Sequence, residues 1–194
     1  DELLFDCNIM AEGQSFFKLS GISISPDNSK ISYAIDLVGR REYTIRIKDL
    51  KTNQVFPESI EGTTGSSTWA NDNQTLFYVS KNKKTLRSEK IYKHILGTNP
   101  DTDVLVYHEK DDTFSVAVYK TKSRKYIIIA SYSTLTNEFQ ILDADQPEGE
   151  FIMFQSRVRG LEYSISHFEN YFYILLKFTI IFFNYNIFNL FLKN

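Results

Sequence analysis

Serine, histidine and acidic side chains are common in this chain, but their spacing forms no nucleophile motif. Serine hydrolases hold the nucleophile on a strained turn, usually G-x-S-x-G, where its hydroxyl meets a histidine base and backbone oxyanion donors. The eight glycines lie at 13, 21, 39, 62, 65, 97, 149 and 160, and none frames a serine in this way. We therefore predict no catalytic residue in this chain.

The potential metal ligands are equally dispersed. His94, His108 and His167 lack the close pairing of zinc motifs, and Cys7 is distant from all three in sequence. We predict neither a metal nor a cofactor. We interpret Cys7 as a small buried apolar residue, and a single cysteine that cannot form an internal disulfide favours a reduced, cytoplasmic location.

Several other stretches imitate binding motifs. Residues 62–67 (GTTGSS) lack the Gly-Lys-Ser/Thr ending of a phosphate loop and precede a predicted strand, so we interpret them as a connection between structural repeats. The charged runs at 81–84 (KNKK) and 109–112 (EKDD) are predicted to be solvated turns. We assign Trp69 to core packing.

The composition excludes some function classes and favours β-structure. The 22 basic and 24 acidic residues are mixed along the chain and give a net charge of -2, so no basic field is present to bind nucleic acid. Twelve tyrosines and sixteen phenylalanines favour strands, because aromatic side chains suit a pleated, half-buried surface. The chain is predicted to be all-β.

The elements that would position any site recur as four-strand repeats. Period-2 alternation bounded by turn residues predicts strands at 21–25, 30–36, 42–49 and 54–56, then 67–70, 75–80, 90–94 and 104–107, then 114–120, 126–130, 138–143 and 151–154, then 163–166 and 171–175. Turn centres at Asp27, Asp72, Ser123 and Glu169 are 45, 51 and 46 residues apart. This period is typical of propeller blades, and it predicts a partial β-propeller of about three to four four-stranded blades.

The repeats end near residue 176, so we divide the chain into a partial propeller at 1–176 and an apolar segment at 177–194. Two interpretations of this segment remain open: a membrane helix, or translated non-coding or frame-shifted sequence. The apolar run around this segment is interrupted by Lys177, Asn184, Asn186 and Asn189. A lysine near the middle of a membrane span would cost about 3 kcal/mol. These residues favour the second interpretation, and we expect no membrane association.

With the repeats defined, several motifs resemble one family in order and spacing. Residues 25–28 (SPDN), 38–46 (VGRREYTIR), 69–73 (WANDN), 107–114 (YHEKDDTF) and 142–145 (LDAD) are similar to the propeller of the oligopeptidase B branch of the prolyl oligopeptidase family. The resemblance covers about residues 1–176, and the family pattern stops at Lys177.

The resemblance implies a two-domain serine peptidase, in which a seven-bladed propeller caps an α/β-hydrolase domain carrying a Ser-Asp-His triad. The propeller would restrict entry to short peptides, and the oligopeptidase B branch cleaves after Lys or Arg. This chain would supply steric selection, with the hydrolase domain as its partner and short peptides as substrates. We expect contacts between the two domains from charged residues at blade edges: Arg40, Arg41, Arg157, Arg159 and Glu162.

Two alternatives to the gating hypothesis remain. In the first, the chain is a stand-alone propeller scaffold that binds a protein partner. In the second, it is a non-functional truncated gene product. A hydrolase domain encoded beside these repeats would separate the peptidase hypothesis from both. For the chain by itself we predict no peptidase activity.

Overall fold

The computed structural model describes residues 3–178, which form antiparallel sheets with very little helix. The helical elements are α1 (Cys7–Ala11) and a 3-10 turn (Pro100–Thr102). The strands are β1 (Lys18–Ile24), β2 (Lys30–Asp36), β3 (Tyr43–Asp49), β4 (Ile60–Trp69), β5 (Thr75–Lys81), β6 (Ser88–Ile95), β7 (Val104–His108), β8 (Ser115–Lys120), β9 (Tyr126–Tyr132), β10 (Asn137–Asp143), β11 (Ile152–Gln155), β12 (Leu161–Phe168) and β13 (Tyr171–Phe178). The all-β prediction is confirmed.

The strands group into the predicted blades, each a meander of neighbours in sequence. Blade 1 contains β1, β2, β3 and the start of β4; blade 2 contains β4 to β7; blade 3 contains β8 to β11; and blade 4 begins with the hairpin β12–β13. Strand β4 pairs with both β3 and β5, which joins blades 1 and 2 into one seven-stranded sheet. Three blades and the start of a fourth are therefore present in the described residues.

The fourth strand of blade 1 differs from the prediction. The stretch 54–56 pairs with β3 only through an isolated bridge between Val55 and Lys48, in which Asp49 N–H donates to the Gln54 carbonyl and Phe56 N–H donates to the Ile47 carbonyl. The pairing with β3 resumes at Ile60. Pro57 lacks a backbone N–H and interrupts the ladder between these two parts. Residues 62–67, predicted to be a connection between repeats, lie within β4 where the chain passes from blade 1 to blade 2.

The core lies between successive blades. The cluster between blades 1 and 2 includes Ile45, Trp69 and Tyr78, and two further apolar clusters join blade 2 to blade 3 and blade 3 to blade 4. Trp69 is 1% exposed, so its assignment to the core is confirmed. Each blade thus packs an apolar face against the next blade, and adjacent blades stabilise one another because water is excluded from these apolar faces.

The turn after the first strand of each blade has the same backbone conformation. Asn28, Asn73, Arg124 and Glu169 occupy these positions with φ between 52° and 61°. Asparagine tolerates this left-handed region better than most residues with a side chain. The repeated turns that revealed the period in the sequence are therefore equivalent in the structure.

The interpretation of Cys7 as a buried residue is wrong. Cys7 lies in α1, which contains no buried residue, and its side chain is exposed. The short helix α1 precedes the first blade and does not pack its cysteine against apolar side chains.

No helix among residues 3–178 is long and apolar enough to cross a membrane.

The proposed boundary at residue 176 falls inside an element. Strand β13 runs to Phe178, and its pairing with β12 continues through the register Leu161↔Phe178. The remainder of the segment 177–194 lies outside the described residues.

Candidate functional site

The loops between strands form two opposite rims, because successive strands are antiparallel. We define the upper rim as the turns 25–29, 70–74 and 121–125, and the lower rim as the loops 37–42, 82–87, 109–114, 133–136 and 156–160. Contacts between blades confirm that the loops of each set lie together. On the upper rim the backbone N–H of Asp27 donates to Asn73 Oδ1 at 2.8 Å, and on the lower rim Lys81 Nζ donates to the carbonyl of Arg41.

All five residues predicted to contact a second domain lie on or beside the lower rim: Arg40, Arg41, Arg157, Arg159 and Glu162. Arg40, Arg41 and Arg159 are exposed, whereas Arg157 and Glu162 are partly buried. The structure thus brings residues from blades 1, 3 and 4 to one face of the molecule. Their contact with another domain stays a prediction.

Asp36 fixes the loop that carries Arg40 and Arg41. One of its carboxylate oxygens accepts hydrogen bonds from the backbone N–H groups of Val38 and Gly39, both at 2.9 Å, and the other accepts from Arg41 N–H at 2.8 Å. Burial opposes ionisation of Asp36, but these backbone hydrogen bonds outweigh it and lower its pKa. An ionised carboxylate at the end of β2 therefore holds the two arginines in a defined loop.

Arg157 forms the most extensive charged contact of the lower rim. Its Nη2 donates to Glu138 Oε1 at 2.5 Å and to Glu109 Oε2 at 2.6 Å, and its guanidinium lies 3.8 Å from the ring centroid of Phe114. Hydrogen bonding to Glu138, and then to Glu109, raises the pKa of Arg157 against the effect of burial. The guanidinium joins the segment after β11 to the loop between blades 2 and 3.

The prediction that residues 109–112 form a solvated turn is wrong for Glu109, which is 4% exposed. Its carboxylate accepts from Arg157, from the Tyr107 hydroxyl at 3.0 Å and from the Asp111 backbone N–H at 3.0 Å. Burial opposes its ionisation, but these donors lower the pKa of Glu109. The buried position of Glu109 could not be predicted from the charged run, because sequence spacing alone does not show that Arg157 of the next blade contacts it.

Arg87 is a second structural arginine that sequence reasoning missed. It donates to Glu89 Oε2 at 3.0 Å and to the backbone carbonyls of Asp111 and Phe114 at 3.0 and 2.7 Å. It therefore ties the β5–β6 loop to the loop before β8.

Two buried histidine contacts resemble parts of a catalytic triad but not a complete one. His94 Nδ1 lies 2.8 Å from Asp103 Oδ1, and the Tyr78 hydroxyl donates to Asp103 Oδ2 at 2.9 Å, with His94 fully buried. His167 Nδ1 lies 2.9 Å from Ser123 Oγ, and its ring packs edge-on against aromatic rings. A nucleophile requires an accessible hydroxyl, a base and an orienting group together, and the two contacts divide these roles between separate places.

No group of His, Cys, Asp and Glu within residues 3–178 is arranged to hold a metal ion. The upper rim does contain a cavity of about 230 Å³ where blades 1, 2 and 3 meet. Lys120, Lys122 and Arg124 line one side of it, and Trp69 lies behind the opposite wall.

Comparisons with known proteins agree with this architecture. Dipeptidyl aminopeptidase BI of Pseudoxanthomonas mexicana is 35% identical over 167 residues, covering 86% of this chain and 23% of the relative. Protease 2 of Moraxella lacunata is 29% identical over 172 residues, covering 88% of this chain and 25% of the relative. The chain thus spans about a quarter of the length of the curated relatives it matches.

Solved structures show the same fold. Oligopeptidase B from Leishmania major superposes with a TM-score of 0.83 and 28% identity, over 90% of this chain and 25% of that one. Oligopeptidase B from Trypanosoma brucei, in a closed form with covalently bound antipain, gives a TM-score of 0.80 and 29% identity, over 90% of this chain and 24% of that one.

The family model described as the N-terminal β-propeller domain of prolyl oligopeptidase matches residues 1–192, a range that includes most of the segment 177–194. The four-stranded antiparallel blades of this chain agree with that description. The chain belongs to the prolyl oligopeptidase family and is part of its N-terminal β-propeller domain.

Proposed function

We propose that this chain is the first part of a propeller that gates a serine oligopeptidase of the oligopeptidase B type. The observation that carries the proposal is a set of radial blades, matched to a peptidase propeller, in a sequence without a nucleophile elbow. Similarity to two oligopeptidase B structures supports this branch of the family. The catalytic partner is an α/β-hydrolase domain outside these 194 residues.

The lower rim is the face we assign to contact with the hydrolase domain. Exposed aliphatic side chains project from equivalent loops of three blades: Val38 is 71% exposed, Leu86 is 38% exposed and Leu135 is 47% exposed. Arg40, Arg41 and Arg159 lie on the same rim, whereas the upper-rim turns 25–29 and 70–74 are polar. Aliphatic tips surrounded by arginines are typical of an interface with an apolar centre and a polar rim.

Gating would act through shape rather than through a reacting group. A triad gains much of its rate from preorganised donors in a site with little water, and a ring of blades over that site limits access by water and by folded proteins. The interblade cores and the Arg157 contacts keep neighbouring blades together. Short peptides would pass, and larger chains would be excluded.

Cleavage after Lys or Arg belongs to the same proposal, and the residues that determine this specificity are expected in the hydrolase domain.

A cytoplasmic location is also part of the proposal. The free, exposed thiol of Cys7 suits a reduced compartment, because such thiols tend to oxidise or pair outside the cell.

The experiment compares this chain with a longer protein that joins it to further blades and a hydrolase domain. Both are assayed on short peptides that differ only in the residue before the scissile bond: Arg, Lys, Pro or Ala. We expect no turnover by the chain alone, and turnover by the longer protein on the Arg and Lys peptides. Inhibitor-sensitive turnover by the chain alone, or a preference for Pro in the longer protein, would contradict the proposal.

A further inference from the structure

The cavity on the upper rim is built from the ends of three innermost strands. Blade 1 supplies β1 and the following turn, blade 2 supplies the end of β4, and blade 3 supplies the end of β8 with its turn. The lining residues are Ser23, Ile24, Pro26, Thr68, Trp69, Lys120, Thr121, Lys122 and Arg124. The cavity therefore lies among the upper-rim ends of the first strands of three blades.

Three cations face this cavity without a carboxylate partner. Within the part of the chain that the structure describes, Lys120, Lys122 and Arg124 form no ion pair, whereas neighbouring Lys125 lies 3.0 Å from Asp143 and 3.2 Å from Asp145. Carboxylates are thus available nearby, yet they pair with the one lysine of this hairpin turn that does not line the cavity.

Lys120 is held in place rather than left in solvent. Its Nζ donates to Asn71 Oδ1 at 2.7 Å, which leaves the remaining ammonium protons for another acceptor. Burial, followed by repulsion from Arg124, lowers its pKa to about 8, although Asp72 and Asp145 attract the charge. An anion in the cavity would offset both the burial of the Lys120 charge and its repulsion from Arg124.

The opposite wall is apolar. Trp69 lies behind this wall: it is 1% exposed, and its indole N–H donates to the Ser23 carbonyl at 3.1 Å, so it presents no free donor to the cavity. Ile24 is 47% exposed beside it, and Pro26 completes this side. A ligand that fits has a negative group next to a small or aliphatic side chain.

We propose that this cavity binds the carboxylate-bearing end of a short peptide, an inference that rests on the proposed peptidase function for its choice of ligand. A C-terminal residue presents a carboxylate beside an aliphatic side chain, which matches the two walls. Pockets for whole drug-sized ligands are about 300–1,000 Å³, so a cavity of about 230 Å³ suits one terminal residue rather than an entire peptide.

The sequence provides a reporter for the test. Trp69 is the only tryptophan, so a titration of the full 194-residue chain can be followed by fluorescence from behind the cavity wall, with calorimetry in parallel. The probes are N-acetyl-alanyl-leucine with a free carboxylate and the same dipeptide as its C-terminal amide, at pH 7 and constant ionic strength. We expect saturable binding of the acid with a dissociation constant of about 1 mM or below, and binding of the amide at least about tenfold weaker.

Matched variants locate the binding. Lys122→Gln with Arg124→Asn removes two exposed cations of the cavity, and asparagine suits the positive φ of 61° at position 124. Lys83→Gln with Lys84→Gln removes two exposed cations from the lower rim. We expect the first pair to weaken binding of the acid about tenfold and the second pair to leave it unchanged.

Equal binding of acid and amide, equal effects of the two variant pairs, or no heat and no fluorescence change up to about 10 mM acid would overturn the proposal. Circular dichroism and urea midpoints establish that each variant is folded before titration. The proposed peptidase function is tested separately by hydrolysis in the longer protein. A failed titration with intact hydrolysis would reject the cavity alone.

Discussion

Arg157 Nη2 donates to Glu109 Oε2 at 2.6 Å, which connects two residues 48 positions apart in the sequence. The same nitrogen donates to Glu138 on β10. One guanidinium thus joins the loop after blade 2, a strand of blade 3 and the segment before blade 4. Together with the apolar clusters between blades, this contact makes the lower rim of blades 2 to 4 one continuous unit.

Replacing Arg157 by Met should lower the free energy of unfolding by about 3 kcal/mol, because Glu109 and Glu138 would remain buried without their cation. Urea denaturation followed by circular dichroism measures the change. Arg159→Met, an exposed arginine on the same loop, is the control and should alter stability by no more than about 0.5 kcal/mol. Equal effects of the two variants would show that Arg157 is not an interblade clamp.

Gly21 and Gly65 approach too closely for a side chain between β1 and β4. A Cβ atom on Gly21 would lie 1.8 Å from the carbonyl oxygen of Gly65, and φ at Gly21 is 60°. Gly21→Ala should therefore lower stability by about 2–4 kcal/mol, from overpacking and backbone strain combined. Gly13→Ala has a similar φ of 73° but nothing within 4 Å, so it should cost only about 1 kcal/mol. Similar urea midpoints for both variants would contradict this account.

The equivalent turn positions predict a stabilising change. Asparagine occupies the left-handed position in blades 1 and 2, whereas blade 4 has Glu169 there with φ of 52°. Glu169→Asn should raise stability by about 0.5 kcal/mol, because asparagine is less strained in this region. Glu150→Asn, which removes the same charge from an exposed loop, should have no such effect. A fall in stability on Glu169→Asn would mean that the four turns are not equivalent.

The repeats and blade order could be predicted because they rest on local signals. Alternating side chains and Asp-Asn turns fix strands and hairpins within a few residues of the chain. The interblade contacts of Arg157 and the exposure of Cys7 could not be predicted in this way, since they depend on how separate blades pack. Pro57 can be read from the sequence, but its effect on the last strand of blade 1 could not be predicted. That effect depends on which backbone N–H groups of the strand pair with β3.

Asp27 should contribute to stability in a defined pH range. A hydrogen bond from the Ser25 hydroxyl at 2.6 Å, and then one from Ser29 N–H, lowers its pKa from 3.8 to about 2. Because the folded-state pKa is the lower one, this contribution is present above about pH 4 and is lost as pH falls towards 2. The difference in urea midpoint between the native chain and Asp27→Asn should shrink over that range.

Ser25→Ala supplies the control for this pH dependence. It removes the strongest donor to Asp27, so the pKa of Asp27 should rise towards 3.8 and the stability difference should become smaller at every pH above 4. A pH-independent difference between the native chain and Asp27→Asn would show that the turn does not stabilise the ionised carboxylate.

The proposed gating is tested most directly by one scissile sequence offered in two forms to a longer protein that joins this chain to the proposed hydrolase domain. The sequence, with Arg before the cut, is supplied as a free short peptide and as an exposed loop of a folded protein that trypsin cleaves readily. The account predicts a kcat/KM for the free peptide at least about 100-fold higher, a difference of about 2.7 kcal/mol in transition-state free energy. Equal kcat/KM values for the two forms would contradict the account.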